Sequence, residues 1–171
     1  MIKDDNSRAW DVIVALALLT RLPLPHAPAA AFARQAQAAW AFPLAGLVVA
    51  GIACVVGWLG MAAGLPVPVT AGLMLATLVV TTGAMHEDGL ADAADGFWGG
   101  FDPARRLEIM KDSHIGTYGV LALILGVGLR WMALSATLAV GVGPMVAAVV
   151  LSRGLLPALM AWMPHARRTG L

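Results

Sequence analysis

An all-α, multi-pass transmembrane helical bundle is the fold class this sequence predicts, from three observations. Of 171 residues, 60% are hydrophobic and 12% charged, against about 25% charged in an ordinary soluble domain. Mean hydropathy is +0.81. The charge is also unevenly placed. Ten of the twenty-one Asp, Glu, Lys and Arg residues fall between Glu87 and Asp112, seven of them acidic, whereas the 52 residues from Gln35 to His86 hold none. A net charge of +1 gives no basis for a nucleic-acid partner. The single Cys54 leaves neither a disulfide framework nor a cysteine metal cluster, and it is expected as a small buried hydrophobe.

The N-terminal MIKDDNSR carries both signs of charge, and the apolar piece after it ends at Arg21 and Pro23 without a small-residue cleavage site, so no secretory leader is expected. Asp11–Leu22 offers about eleven apolar-compatible residues, ~17 Å of helix against a ~30 Å hydrocarbon core. That predicts an N-terminal interfacial or re-entrant helix, stopped by the prolines of RLPLPHAP. Ala27–Ala39, Ala-rich with Arg34, predicts a short surface helix.

Four spans are expected, at 40–63, 69–85, 118–140 and 144–163, in a single integral-membrane domain covering residues 1–171. Trp40 and Trp58 suit the interfaces of the first, and Pro43 its first turn. Gly64-Leu-Pro-Val-Pro68 predicts the turn into the second, and Gly46 and Gly51 suit close helix packing in lipid. This layout puts residues 1–39, the polar segment 86–117 and the C-terminal tail on one side. That side collects nine of the eleven cations: Lys3, Arg8, Arg21, Arg34, Arg105, Arg106, Lys111, Arg167 and Arg168. By the positive-inside rule it faces the cytoplasm. Arg130 and Arg153 fall mid-span, where a charge is costly. Either they reach an anionic substrate, or they snorkel to an interface.

In the polar segment Asp88, Asp92 and Asp95 fall within a narrow arc of one helix face at 100° per residue. Three carboxylates so close repel one another. A divalent cation resolves the conflict, and oxygen-only ligands favour Mg²⁺ or Mn²⁺ over zinc. A solvated acidic helix start would account for Glu87 and Asp88, but poorly for Asp92 and Asp95 among Ala, Leu and Gly. Gly89 and Gly96, seven apart, predict a bare face that admits a ligand or a neighbouring helix. Asp102-Pro103 predicts a new helix, with Asp102 as N-cap and Pro103 at its first position. On it Arg105, Glu108, Ile109 and Asp112 share one face, with Arg106 and Lys111 away from it.

Cations a short loop from a carboxylate-bound metal suit phosphoryl or nucleotidyl transfer, where both offset charge on the phosphorus oxygens. The plainer reading of Arg105, Arg106 and Lys111 is a juxtamembrane cationic cluster. Ser113 or Thr117 is expected to cap the next span. His86 and His114, flanking the segment, are each a candidate base or phosphate donor, or a boundary residue.

HEDGLADAADG followed by RRLEIMKDSHIGTYG resembles the signature of the adenosylcobinamide-GDP ribazoletransferase (cobalamin or cobalamin 5′-phosphate synthase) family, and TRLPLP at Thr20–Pro25 and AFPLAGL at Ala41–Leu47 are similar too. The resemblance runs from about Ala15 to the C-terminus. It implies a multi-pass bacterial inner-membrane enzyme, dependent on Mg²⁺, that moves adenosylcobinamide phosphate from its GDP linkage to α-ribazole or its 5′-phosphate and releases GMP. Its implied partners are those two substrates and the lipid bilayer, with a second copy or other cobalamin-pathway enzymes as the protein partners to test. Carried over position by position, the metal motif falls on Asp88, Asp92 and Asp95 with His86 leading it. The second motif falls on Arg106, Lys111, Asp112, Ser113 and Gly116. Chemistry then assigns catalysis to His86, Asp88, Asp92, Lys111 and Asp112, and phosphate binding to Arg105, Arg106, Lys111, Ser113 and His114. Family members continue beyond Leu171 with further membrane segments and a Gly-Asp polar motif, so a second piece of the site is expected outside this chain. A CDP-alcohol phosphotransferase is the other enzyme reading. Its motif has Ala-Arg after the Asp-Gly, where this chain has Ala91-Asp92. A cation transporter would place acids inside the spans, and within the bounds above there are none.

Overall fold

The computed structural model describes residues 7–164, and among these all regular structure is helical. Lys3, Arg167 and Arg168 of the charge argument lie outside the described residues. Among the described residues three helices are long and apolar enough to cross a membrane, at Gln35–Ala62, Thr117–Thr137 and Gly143–Trp162. A bent pair, Val67–Thr82 with Met85–Gly99, makes a fourth candidate if counted as one broken span. The chain divides into two compact units, Met1–Gly51 with Gly143–Leu171, and Ile52–Val142.

In the first unit, α1 (Ser7–Leu19) packs on a 3-10 helix, Gln35–Ala41, that leads into α3 (Phe42–Ala62). Helix α2 (Ala29–Phe32) is a single turn between them. Ala15, Leu19, Ala41, Phe42 and Ala45 form the buried cluster. The Asp11 carboxylate, 8% exposed, accepts hydrogen bonds from Arg34 Nη2 at 2.9 Å and from Trp40 Nε1 at 3.2 Å. Its charge is thus paired, as a buried carboxylate requires. Trp40, expected to lie at a membrane interface, is held by α1. The other long helix of this unit is α8 (Gly143–Trp162).

Helix packing bears out Gly46 but not Gly51. A Cβ on Gly46 would stand 2.9 Å from the Val149 carbonyl oxygen and 3.2 Å from Val150 Cα, so α8 backbone touches α3 there, whereas nothing lies within 4 Å of a Cβ on Gly51. Backbone cannot yield as a side-chain tip does. Gly46→Ala is expected to destabilise the chain by about 1–3 kcal/mol, as core overpacking does. Thermal unfolding in detergent measures this, with Gly51→Ala as the silent control.

In the second unit α3 and α4 (Val67–Thr82) form the expected hairpin. Gly64, at φ +73°, turns the chain after α3, and Pro68 sits in the first turn of α4. The second expected span does not run to Met85. Helix α4 stops at Thr82, because Gly83 and Ala84 take left-handed backbone at φ +65° and +57°. Helix α5 (Met85–Gly99) therefore leaves at 85° to α4. Left-handed geometry costs a non-glycine residue about 1–2 kcal/mol, so neighbouring contacts hold Ala84 there. The cap expected of Ser113 or Thr117 on α7 (Thr117–Thr137) is likewise replaced. Gly116 is the N-cap residue, and no side chain of its own turn caps the helix.

Candidate active site

The site lies within the second unit and is built from α5, from α6 (Pro103–Ile109), and from the turn between α6 and α7. Asp102 caps α6 as expected, its Oδ1 accepting the Arg105 N–H at 3.0 Å, with Pro103 beginning the helix. Helix α5 meets α6 through Gly96, where a Cβ would stand 2.6 Å from Met110 Cε and 3.1 Å from the Arg106 carbonyl oxygen. Gly96 thus admits a neighbouring helix. Gly89 has nothing within 4 Å of a Cβ.

Helices α5 and α7 are joined by two acids on the buried stripe of α5, Glu87 and Asp95, with Ala91 and Ala94 between them. The Asp95 carboxylate accepts the Gly116 N–H on Oδ2 at 2.7 Å and the Gly119 N–H on Oδ1 at 2.8 Å. It supplies the missing cap of α7 from a distant helix. Negative charge at a helix N-terminus is favourable because the first N–H groups have no intrahelical acceptor. At the other end, the buried Glu87 pairs with Arg130 of α7. The mid-span arginine left open by the sequence therefore has a protein partner. Arg153 Nη1 donates to Ser152 Oγ at 2.9 Å.

A cavity of about 550 Å³ opens between α5, α6 and the start of α7. Asp95, Arg105, Glu108, Ile109, Lys111, Asp112, His114 and Tyr118 line it with the backbone around Gly99 and Ile115–Thr117. The face expected to unite Arg105, Glu108, Ile109 and Asp112 is thus real. Lys111 joins it, contrary to its expected position. Helix α6 ends at Ile109, and the tighter i→i+3 bonds Lys111 N–H to Glu108 O and Asp112 N–H to Ile109 O swing the following residues round. Arg106 does not reach the cavity. Its Nε donates to the Gly100 carbonyl at 2.9 Å and its guanidinium lies 5.5 Å from the Phe97 ring centre, so it holds the α5–α6 turn. Ser113, His86, Asp88 and Asp92 do not line the cavity either. Glu108 and Tyr118 are lining residues to which the sequence reading gave no role.

His114 Nδ1 lies 2.7 Å from Asp112 Oδ1, which also accepts the His114 N–H at 3.1 Å. The hydrogen bond that the imidazole makes to the Asp112 carboxylate, reinforced by the opposite charge, holds His114 above the ordinary histidine range and Asp112 below the ordinary carboxylate range. With Nδ1 facing the carboxylate, Nε2 is the nitrogen able to exchange a proton with a ligand. Arg105 Nη1 pairs with Glu108 Oε2 at 2.7 Å on the exposed face of α6.

Among the described residues no group of three or more His, Cys, Asp or Glu side chains is arranged to hold a metal ion. Asp95 is committed to two backbone donors. Asp88 and Asp92 remain one turn apart on α5, the first exposed and the second half-buried. Two carboxylates of this kind fit Mg²⁺, which usually keeps waters and takes one or two protein carboxylates besides substrate phosphates.

The sequence model of the Cobalamin-5-phosphate synthase family matches residues 11–171. A curated relative from Bradyrhizobium diazoefficiens, named adenosylcobinamide-GDP ribazoletransferase, is 46% identical over 168 residues, covering 94% of this chain and 63% of the relative. Relatives of the same name from Mesorhizobium japonicum and Xanthobacter autotrophicus are 44% and 49% identical, covering 94% and 77% of this chain and 62% and 51% of their own lengths. The chain thus spans less than two thirds of the curated relatives it matches. No solved structure matches it. With a family match over almost its whole length, this chain belongs to the Cobalamin-5-phosphate synthase family.

Proposed function

We propose that this chain carries the metal- and phosphate-handling part of a transferase that joins adenosylcobinamide-GDP to α-ribazole, or its 5′-phosphate, with release of GMP. The names of its relatives support adenosylcobinamide-GDP and a ribazole acceptor as the substrates. The observation that carries the reading is the cavity that gathers Arg105, Lys111 and the Asp112–His114 pair beside α5. In this reading the protein crosses the bacterial inner membrane several times, with residues 86–117 facing the cytoplasm, where the cations collect.

Asp88 and Asp92 would hold Mg²⁺, which would supply positive charge against the pyrophosphate and the departing GMP. Arg105 and Lys111, which line the cavity, bind phosphate oxygens and so place positive charge where negative charge develops as the P–O bond breaks. Nε2 of His114 accepts the proton from the attacking hydroxyl, while Asp112 fixes the tautomer and stabilises the imidazolium that forms. Asp95 shapes the wall by holding the first turn of α7. His86, half-buried on α5 and not among the lining residues, is assigned no proton transfer.

GMP release by the purified chain in liposomes, given adenosylcobinamide-GDP and α-ribazole with and without Mg²⁺, tests the function. Release requiring both metal and acceptor supports it. Release of CMP from a CDP-alcohol instead points to the other transferase class. Repeating the assay with the remaining family segments supplied decides whether silence of the chain alone counts against it, and silence there as well sinks the proposal.

The dyad has a separate signature. His114 is held high by Asp112, so as a base it becomes active as pH rises through that raised value. Asp112→Asn removes the charge, and the acid limb of the kcat/KM profile is expected to move to lower pH while kcat falls roughly tenfold or more through lost orientation. An acid limb that stays in place excludes His114 as the titrating base.

A further inference from the structure

We propose that Glu87 and Arg130 form a positioning pair that sets the roll of α5 and thereby aims Asp88 and Asp92; the aim rests on the reading of those two residues as metal ligands. Glu87 immediately precedes Asp88 and shares its helical turn. It is 8% exposed, buried on the face of α5 that meets α7. Arg130 stands at the fourteenth of the 21 residues of α7, about 20 Å along the helix, in a helix apolar enough to span. A charge at that depth is expensive unless it meets an opposite one, and removing one partner of such a pair leaves the other uncompensated.

The second contact, Asp95 on the α7 N-terminus, fixes the far end of α5. Two attachments eight residues apart define both the axis and the rotation of the helix segment that bears Asp88 and Asp92. Either alone leaves it free to roll. Carboxylate oxygens sit near the outer radius of a helix, ~5–6 Å from its axis, so a ~20° roll moves them by ~2 Å. That is the length of a Mg²⁺–oxygen bond. The alanines between the two acids add no bulk that would resist the roll, since Ala91 and Ala94 present only methyl groups to the interface.

The test compares Glu87→Gln and Arg130→Met with the exchanged pair, Glu87→Arg with Arg130→Glu, in detergent-solubilised protein. Mn²⁺ affinity is read by electron paramagnetic resonance, and deuterium uptake is followed over residues 85–92. Both single variants are expected to weaken Mn²⁺ binding by roughly ten- to a hundredfold, the usual loss when an orienting partner is removed. Uptake over 85–92 is expected to quicken, and the exchanged pair to restore both. Glu87→Gln and Arg130→Met combined remove both charges, so the double variant is expected to keep its thermal midpoint while its Mn²⁺ affinity falls. A loss of affinity at unchanged midpoint is what a merely structural pair would not give. Unchanged affinity and uptake in the single variants overturn the proposal. If a single variant fails to fold, the exchanged pair decides, and a folded exchanged pair with weak Mn²⁺ binding also overturns it. Should the unaltered chain bind no Mn²⁺, the metal reading falls. Uptake over 85–92 in Glu87→Gln then judges the helix pin by itself, and an unchanged rate rejects it.

Discussion

Asp92→Asn is expected to lower Mg²⁺-dependent GMP release by roughly a hundredfold or more, the scale associated with losing one pre-placed electrostatic contact to a reacting group. The substitution keeps the side-chain volume and the half-buried position, so folding should be intact. What it removes is one of the two carboxylates left available on α5, the other being Asp88. Mg²⁺ binds through few protein ligands, so halving their number leaves a site that waters alone cannot rebuild. Asp88→Asn should act alike, and raising Mg²⁺ should recover part of the loss in each single variant. Turnover within twofold of the unaltered chain in both variants, at limiting Mg²⁺, would remove the metal from α5.

The second large effect falls on Asp95 and is one of stability. Its carboxylate satisfies the Gly116 and Gly119 N–H groups, the latter buried. Asp95→Ala leaves both without an acceptor, and charge-assisted bonds of this kind are worth about 1.5–3 kcal/mol each before relaxation. A net loss of about 2 kcal/mol is expected, or roughly 4–8 °C in thermal midpoint for a chain of this size. Deuterium uptake in the first turn of α7 should rise with it. Gly119→Ala should produce the same effect with the carboxylate present. A Cβ there would overlap Asp95 Oδ2 and stand 3.1 Å from the Ala91 carbonyl oxygen, so the clasp must open. If both variants keep the midpoint and the uptake of the unaltered chain, the carboxylate is not the cap of α7.

Features written in a few adjacent residues could be read from the sequence. Asp102-Pro103 announced the start of α6 because cap and first-position chemistry are local. The apolar lengths around α3, α7 and α8 announced candidate spans because the bilayer sets a minimum. The end of α4 escaped because MHEDGL is itself helix-compatible and Ala84 carries no sign of a left-handed backbone. Lys111 was misplaced because a helical wheel assumes the helix continues, and α6 ends at Ile109. The Glu87–Arg130 pair spans 43 positions of sequence. Its cost was legible in Arg130, but its partner was not. The Asp stripe was correctly placed on one helix. Only packing against α7 could separate Asp95 from the other two.

The Asp95 contact with Gly116 and Gly119 also bears on how this part of the chain can be rebuilt. It ties the two ends of residues 96–115 together, so α6 and its flanking turns behave as a closed insert, anchored at its base rather than threaded through the bundle. Closing a loop grows costly only slowly with its length. Residues of the exposed turns within the insert can therefore be added, removed or exchanged with little strain on the helices below, as long as the carboxylate, its two glycine partners and the close-packed Gly96 and Gly100 remain. That makes the insert the natural place to recast which ligand the cavity admits, by grafting rather than by redesigning the long apolar helices.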